Sequence, residues 1–200
     1  GDSTETTSDY FINVGKSDGD WSVNLTYISN SNEDNAMGLD FGYAMMGGDL
    51  DLAVSYNTAT VGTTDMDYMS IGGTYNVNDD MSVSATRTTC GETDWNMAGS
   101  NYGDGAGSWA SHGNMGSLDA NEEDMSFGVS YAMGDFNLGI SMHTVSNEAN
   151  ADDRKVTEAN FGYTMSDNAS VSIKYATDSA DIDASGDDDK YMWLTLSVTP

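Results

Sequence analysis

The stretch Met37-Gly38-Leu39-Asp40-Phe41-Gly42-Tyr43-Ala44-Met45 puts a large apolar side chain at every odd position and a small or acidic one between. Successive side chains leave a strand on opposite sides, so a period of two marks a strand with one apolar face. The same alternation runs outward along the chain. It is read in Leu50, Leu52, Val54, Tyr56, then in Met69, Ile71, Gly73, Tyr75, Val77, and in Met125, Phe127, Val129, Tyr131, Met133. Phe136, Leu138, Ile140, Met142 continue it, as do Ala159, Phe161, Tyr163, Met165, then Ala169, Val171, Ile173, Tyr175, and last Met192, Leu194, Leu196, Val198. Eleven strands are expected, at about 9–16, 21–29, 36–45, 49–59, 66–77, 81–89, 124–133, 136–146, 155–165, 169–177 and 190–198.

Composition agrees with strands. A single Pro among 200 residues leaves nearly every amide free to join a ladder. Twenty-two Gly disfavour long helices. High net charge alone suggests disorder, but charged residues are only 20% and aromatics reach 10%, enough to build an ordered chain. The length fits one domain spanning 1–200.

Charge and cysteine content exclude several functions. Thirty-three acidic against six basic residues give −27, which excludes nucleic-acid binding and adhesion to anionic lipid through basic residues. Cys90 is alone, so no internal disulfide forms; with His112 and His143 it makes a poor structural zinc set. The longest apolar runs, 43–46 and 191–194, hold four residues, far short of the ~20 of a spanning helix. No basic-then-apolar leader opens the chain, as expected of a mature form or a fragment.

The connections between expected strands measure 4, 6, 3, 6, 3, 34, 2, 8, 3 and 12 residues, short and long in turn. The short ones carry turn residues, among them Gly47-Gly48, Asn78-Asp79-Asp80 and Gly134-Asp135. Short turns at one end, long polar loops at the other, and strands near the ~9–11 residues that cross hydrocarbon at a tilt are the plan of an outer-membrane barrel. The fold expected is therefore all-β, an antiparallel up-and-down transmembrane β-barrel. Its apolar face meets lipid, and its Gly, Ser, Thr, Asn, Ala and Asp face lines water. Residues 90–123 and the acidic 178–189 become external loops. Tyr43, Tyr75, Tyr131 and Tyr163 each precede a short turn at the same spacing. They read as an interface aromatic girdle, or as repeated hairpin grammar.

The strings Gly72-Gly73-Thr74-Tyr75-Asn76-Val77-Asn78-Asp79-Asp80-Met81-Ser82-Val83-Ser84 and Ala159-Asn160-Phe161-Gly162-Tyr163-Thr164-Met165-Ser166-Asp167-Asn168-Ala169-Ser170-Val171 resemble strand-turn-strand units of Gram-negative general porins. The resemblance implies a trimer of 16- or 18-stranded barrels in the bacterial outer membrane, passing small hydrophilic solutes. Two features depart from the family: the chain ends Val198-Thr199-Pro200 where such porins end on an aromatic residue, and the strand count is odd. The odd count is expected of the C-terminal portion of a larger barrel whose leading strands are absent or not identified.

Parity turns Asp40, Asp51 and Glu158 into the lumen, with Lys174 opposed to them, and carboxylates there favour cations. The alternative is that these acids are merely solvated. Asp181, Asp183, Asp187 and Asp189 alternate around Gly186 like the first half of a calcium loop, but Met192 stands where a bidentate Glu is needed. A solvated charge run is favoured over a weak calcium site, and no other cofactor is expected. The segment 90–123, with Trp95, Trp109 and His112, either caps or enters the pore, or is a surface loop. Catalysis has little support: His143 faces the polar side by parity, with Asn137 and Ser141 on the same face, and two histidines leave few options. The reading is a non-enzymatic porin with cation preference, whose partners are outer-membrane lipid, small solutes and copies of itself. The alternatives are an acidic soluble or surface-layer β-protein that binds calcium, and a barrel serving as a sleeve for a partner protein.

Overall fold

The computed structural model describes residues 10–30, 34–95, 109–111, 114–116, 118–147, 153–179 and 189–198, with only the backbone for 109–116 and for 189. The strands are β1 (Tyr10–Asp18), β2 (Trp21–Ser29), β3 (Asn35–Met45), β4 (Leu50–Val61), β5 (Thr64–Asn78), β6 (Met81–Cys90), β7 (Trp109–Ser111), β8 (Asn114–Gly116), β9 (Glu122–Met133), β10 (Phe136–Asn147), β11 (Arg154–Ser166), β12 (Ala169–Asp178) and β13 (Asp189–Val198). Eleven of them form one antiparallel up-and-down sheet in chain order, with β6 paired to β9 across the long segment. β1 and β13 are its two edges. Among the described residues no helix is long and apolar enough to cross a membrane.

Two expectations about connections are corrected. The segment 90–123 is not all loop: β7 and β8 form a separate hairpin within it, and β7 approaches β11 and β12. The connection expected at 60–65 shrinks to Gly62-Thr63, because β4 and β5 run on together as a hairpin. Gly62 takes φ 61, a left-handed backbone that a two-residue turn needs and that Gly adopts without a Cβ penalty. Its N–H donates to Asp34 Oδ1 at 2.7 Å, tying this turn to the preceding connection.

At the opposite end the turns are laced to one another. The carbonyls of Asp20, Asp49, Asp80 and Asp135 accept from the backbone N–H of Ala44, Asn76, Ala132 and Thr164 at 2.7, 2.7, 2.7 and 2.8 Å. Each donor is the residue after one of the four repeated tyrosines. The Tyr repeat thus marks the place where one hairpin is registered against the turn before it.

The large apolar side chains lie outside. Leu52, Phe127 and Ile140 are 39%, 55% and 47% exposed, where a sealed interior would have buried them. The buried apolar cluster lies instead at the long-connection end. It is Ala36, Ala59, Met66, Cys90, Val145 and Val156, joined by Trp95 and Leu118 from the long connection. The strand members of this cluster all belong to the other, inward parity.

Candidate functional site

Cross-strand register sorts each side chain onto one face, since directly opposed residues point the same way. Asp40 opposes Ser55, which opposes Ser70, which opposes Thr88. Thr88 opposes Asp124, which opposes Val145. This row crosses six strands on the inward face and contains no large polar side chain. Toward the short turns the face is built of Ser22, Gly42, Ala53, Gly72, Thr86, Gly128, Ser130 and Gly139. A concavity of about 510 Å³ is lined there by Ser22, Asn24, Asp40, Asp51, Ser55 and Thr74. Small side chains permit close approach: a Cβ on Gly72 would stand 2.5 Å from Thr86 Oγ1.

All four expected lumen residues lie on this face, in two groups. Asp40 and Asp51 are exposed on β3 and β4, and the Ser55 hydroxyl donates to Asp40 Oδ1 at 2.7 Å. Neither has a basic partner among the described residues. Glu158 is buried on β11, and Lys174 Nζ on β12 stands 3.6 Å from its Oε2. Lys174 therefore answers Glu158 and not the other two acids.

Three inward contacts escaped sequence reading. Arg154 grips Asp178 with two bonds, Nε to Oδ1 at 2.8 Å and a terminal guanidinium nitrogen to Oδ2 at 2.5 Å. His143 Nδ1 meets Asp124 Oδ2 at 2.8 Å, with both side chains nearly buried. Parity alone would place each of these residues inward. Their pairing depends on register across 24 and 19 residues of chain. The third contact is the stem of the long connection folding inward. Trp95 is 4% exposed and its ring stands edge-on to that of inward Tyr68, centroids 4.8 Å apart. Ala120 N–H donates to Asp94 Oδ1 at 2.6 Å and Asn121 N–H to the Gly91 carbonyl at 2.7 Å, closing the base of the connection.

On the outward face, Tyr43, Tyr75, Tyr131 and Tyr163 line up near the short turns, and Tyr163 stacks on Phe136 at 4.6 Å. Lys16 Nζ lies 5.4 Å from the centroid of Trp21 at the same end. At the other end, Arg87 points outward between Ile71 and Met125 and pairs with Glu123 at 2.5 Å. A long guanidinium stem reaching up to a carboxylate is how an outward Arg avoids an apolar band. Asp181, Asp183 and Asp187, and the side chain of Asp189, lie outside the described residues, as does His112.

An up-and-down sheet, apolar outside and small and polar inside, laced at its short turns, is a membrane-barrel wall. Residues 92–199 match the family model for Gram-negative porins, and the chain belongs to that family. Its place is the bacterial outer membrane, and the family and fold are those of channel proteins. Among solved structures it is similar to a porin at 15% identity, with TM-score 0.63, covering 92% of this chain and 61% of that one. It is also similar to the NanC porin, at 12% identity and TM-score 0.53, over 97% of this chain and 94% of that one. The outer-membrane channel DcaP of Acinetobacter baumannii matches at 10% identity and TM-score 0.57, over 96% of this chain and 61% of that one. The chain thus spans about three-fifths of the first and third. No curated protein sequence matches it.

Proposed function

We propose that this chain forms the wall of a water-filled pore through which small hydrophilic solutes diffuse, with cations preferred over anions. The observation that carries it is the pair Asp40 and Asp51, exposed on the inward face and without a basic partner among the described residues. The inward cations answer other acids: Arg154 is held by Asp178, and Lys174 faces Glu158. A lumen whose unanswered charges are carboxylates draws cations and repels anions. The acidic chain, at −27 overall, adds to the same field. The inward stem carrying Trp95 narrows the long-connection end.

Hydrocarbon does not tolerate unpaired strand edges, so in the assembled pore both β1 and β13 are paired. By resemblance to its family the working unit is a homotrimer, which sedimentation in detergent would test. The pore itself is tested in planar bilayers bathed in unequal KCl. The expected result is a conducting channel whose reversal potential reports excess K⁺ permeability, reduced in Asp40→Asn/Asp51→Asn. No conductance would overturn the pore; anion selectivity would overturn the charge assignment.

A further inference from the structure

Besides Phe11 on the edge strand β1 and the Tyr68–Trp95 pair at the long-connection end, β13 turns two aromatic side chains inward. Trp193 opposes Lys174 and Tyr191 opposes Ala176, while Met192 and Leu194 between and beyond them are 74% and 70% exposed on the other face. The two rings lie 5.9 Å apart with an interplanar angle of 38°, half-buried on the face that register turns toward the lumen. Ala176, fully buried, is the cross-strand neighbour of Tyr191 on the same face.

Around this tilted platform stand two ionic contacts. Lys174 directly opposes Trp193, and its Nζ stands 3.6 Å from Glu158 on the next strand, β11. The Arg154–Asp178 fork lies farther along the same face, Asp178 two residues beyond Ala176 on β12. Their formal charges cancel. Both carboxylates are buried, so the groups offered at the edge of the apolar surface are the part-exposed N–H donors of Lys174 and Arg154, each held in place by its acid. Aromatic faces take up apolar C–H faces, and charged hydrogen-bonding groups at the rim orient hydroxyls.

We propose that Trp193 and Tyr191, with Lys174 and Arg154 held in place by Glu158 and Asp178, form a subsite for neutral pyranose sugars on the pore wall. Such a ring has an apolar face for the platform and equatorial hydroxyls for the rim. Cancelled local charge inside an acidic pore disfavours sugars bearing carboxylate or phosphate. The assignment rests on the pore reading above and names a solute class for it.

The test uses the full-length protein in planar bilayers, with maltohexaose as probe. Reversible, saturable interruptions of the ion current are expected. Their apparent affinity falls roughly two- to ten-fold in Trp193→Leu, the loss of one aromatic contact, and stays near wild type in Trp193→Phe. Heat-modifiable electrophoretic mobility shows that each variant is folded. Hexagalacturonate should block more weakly than maltohexaose. Absence of saturable block, or equal block in wild type and Trp193→Leu, overturns the subsite while leaving the pore standing. If no current flows, the pore reading fails instead. The sugar is then titrated against detergent-solubilised protein: a saturable change in tryptophan emission, absent in Trp193→Phe, supports the subsite, and no change overturns it.

Discussion

His143 Nδ1 and Asp124 Oδ2 are 2.8 Å apart on adjacent strands of the inward face, and the other carboxylate oxygen of Asp124 is buried with no hydrogen-bond partner among the described residues. The pair borders the buried cluster, since Asp124 directly opposes Val145 and His143 opposes Val156. Removing one partner of a buried hydrogen bond strands the other, whereas replacing both by apolar groups is nearly neutral. His143→Ala, which strands the carboxylate, should therefore destabilise by about 1–3 kcal/mol, and His143→Ala/Asp124→Leu should recover most of that loss. Urea unfolding of the detergent-refolded protein measures both. Equal destabilisation in the single and double variants would refute the pairing.

Asp34 is a carboxylate outside the strands whose state is tied to geometry. A hydrogen bond from the Asn30 side-chain amide, at 2.8 Å, is the larger cause holding its pKa below the usual value of 3.8, and the Gly62 N–H is the next. A lowered pKa means that folding favours the charged form. The contribution is fully present above pH 3.8 and disappears as pH falls through the lowered value. Protection of the Gly62 amide against hydrogen exchange should accordingly drop in acid in the wild type. Asp34→Ala, which removes the acceptor, should show low protection at every pH.

Val129 and Ser130 are neighbours on opposite faces: Val129 is 45% exposed among outward apolar residues, and Ser130 hydrogen-bonds Ser82 at 2.7 Å on the inward side. Val129→Arg should destabilise the protein in lipid by about 2–4 kcal/mol, as a lipid-facing cation near mid-bilayer does. Ser130→Arg should fold nearly as well as wild type and lower the K⁺/Cl⁻ permeability ratio. Reversed outcomes would exchange the two faces.

Two inward glycines test how tightly the wall is packed. A Cβ on Gly72 meets the Thr86 hydroxyl at 2.5 Å and the Ala85 carbonyl at 2.9 Å, whereas a Cβ on Gly139 meets nothing closer than 3.8 Å. Gly72→Ala should cost about 1–3 kcal/mol, the range of overpacking, and Gly139→Ala should be near neutral in the same urea titration.

Which residues face lipid was legible because a strand repeats every two residues. Once the odd positions from Met37 to Met45 are apolar, one face is decided, and short turns such as Gly134-Asp135 decide which strands are neighbours. Local chemistry thus determined the class, the strand order and the side on which Asp40, Asp51, Glu158 and Lys174 lie. The partners of those residues were not legible. Glu158 with Lys174, Asp124 with His143 and Arg154 with Asp178 are joined by register, which brings together side chains far apart in the chain. The length of the β4–β5 hairpin and the inward fold of the Trp95 stem also waited on tertiary structure. Each depends on a contact from another connection or strand, Asp34 on Gly62 in one case and Trp95 on Tyr68 in the other. Periodicity is a property of neighbours along the chain, whereas pairing and loop position are properties of neighbours in space.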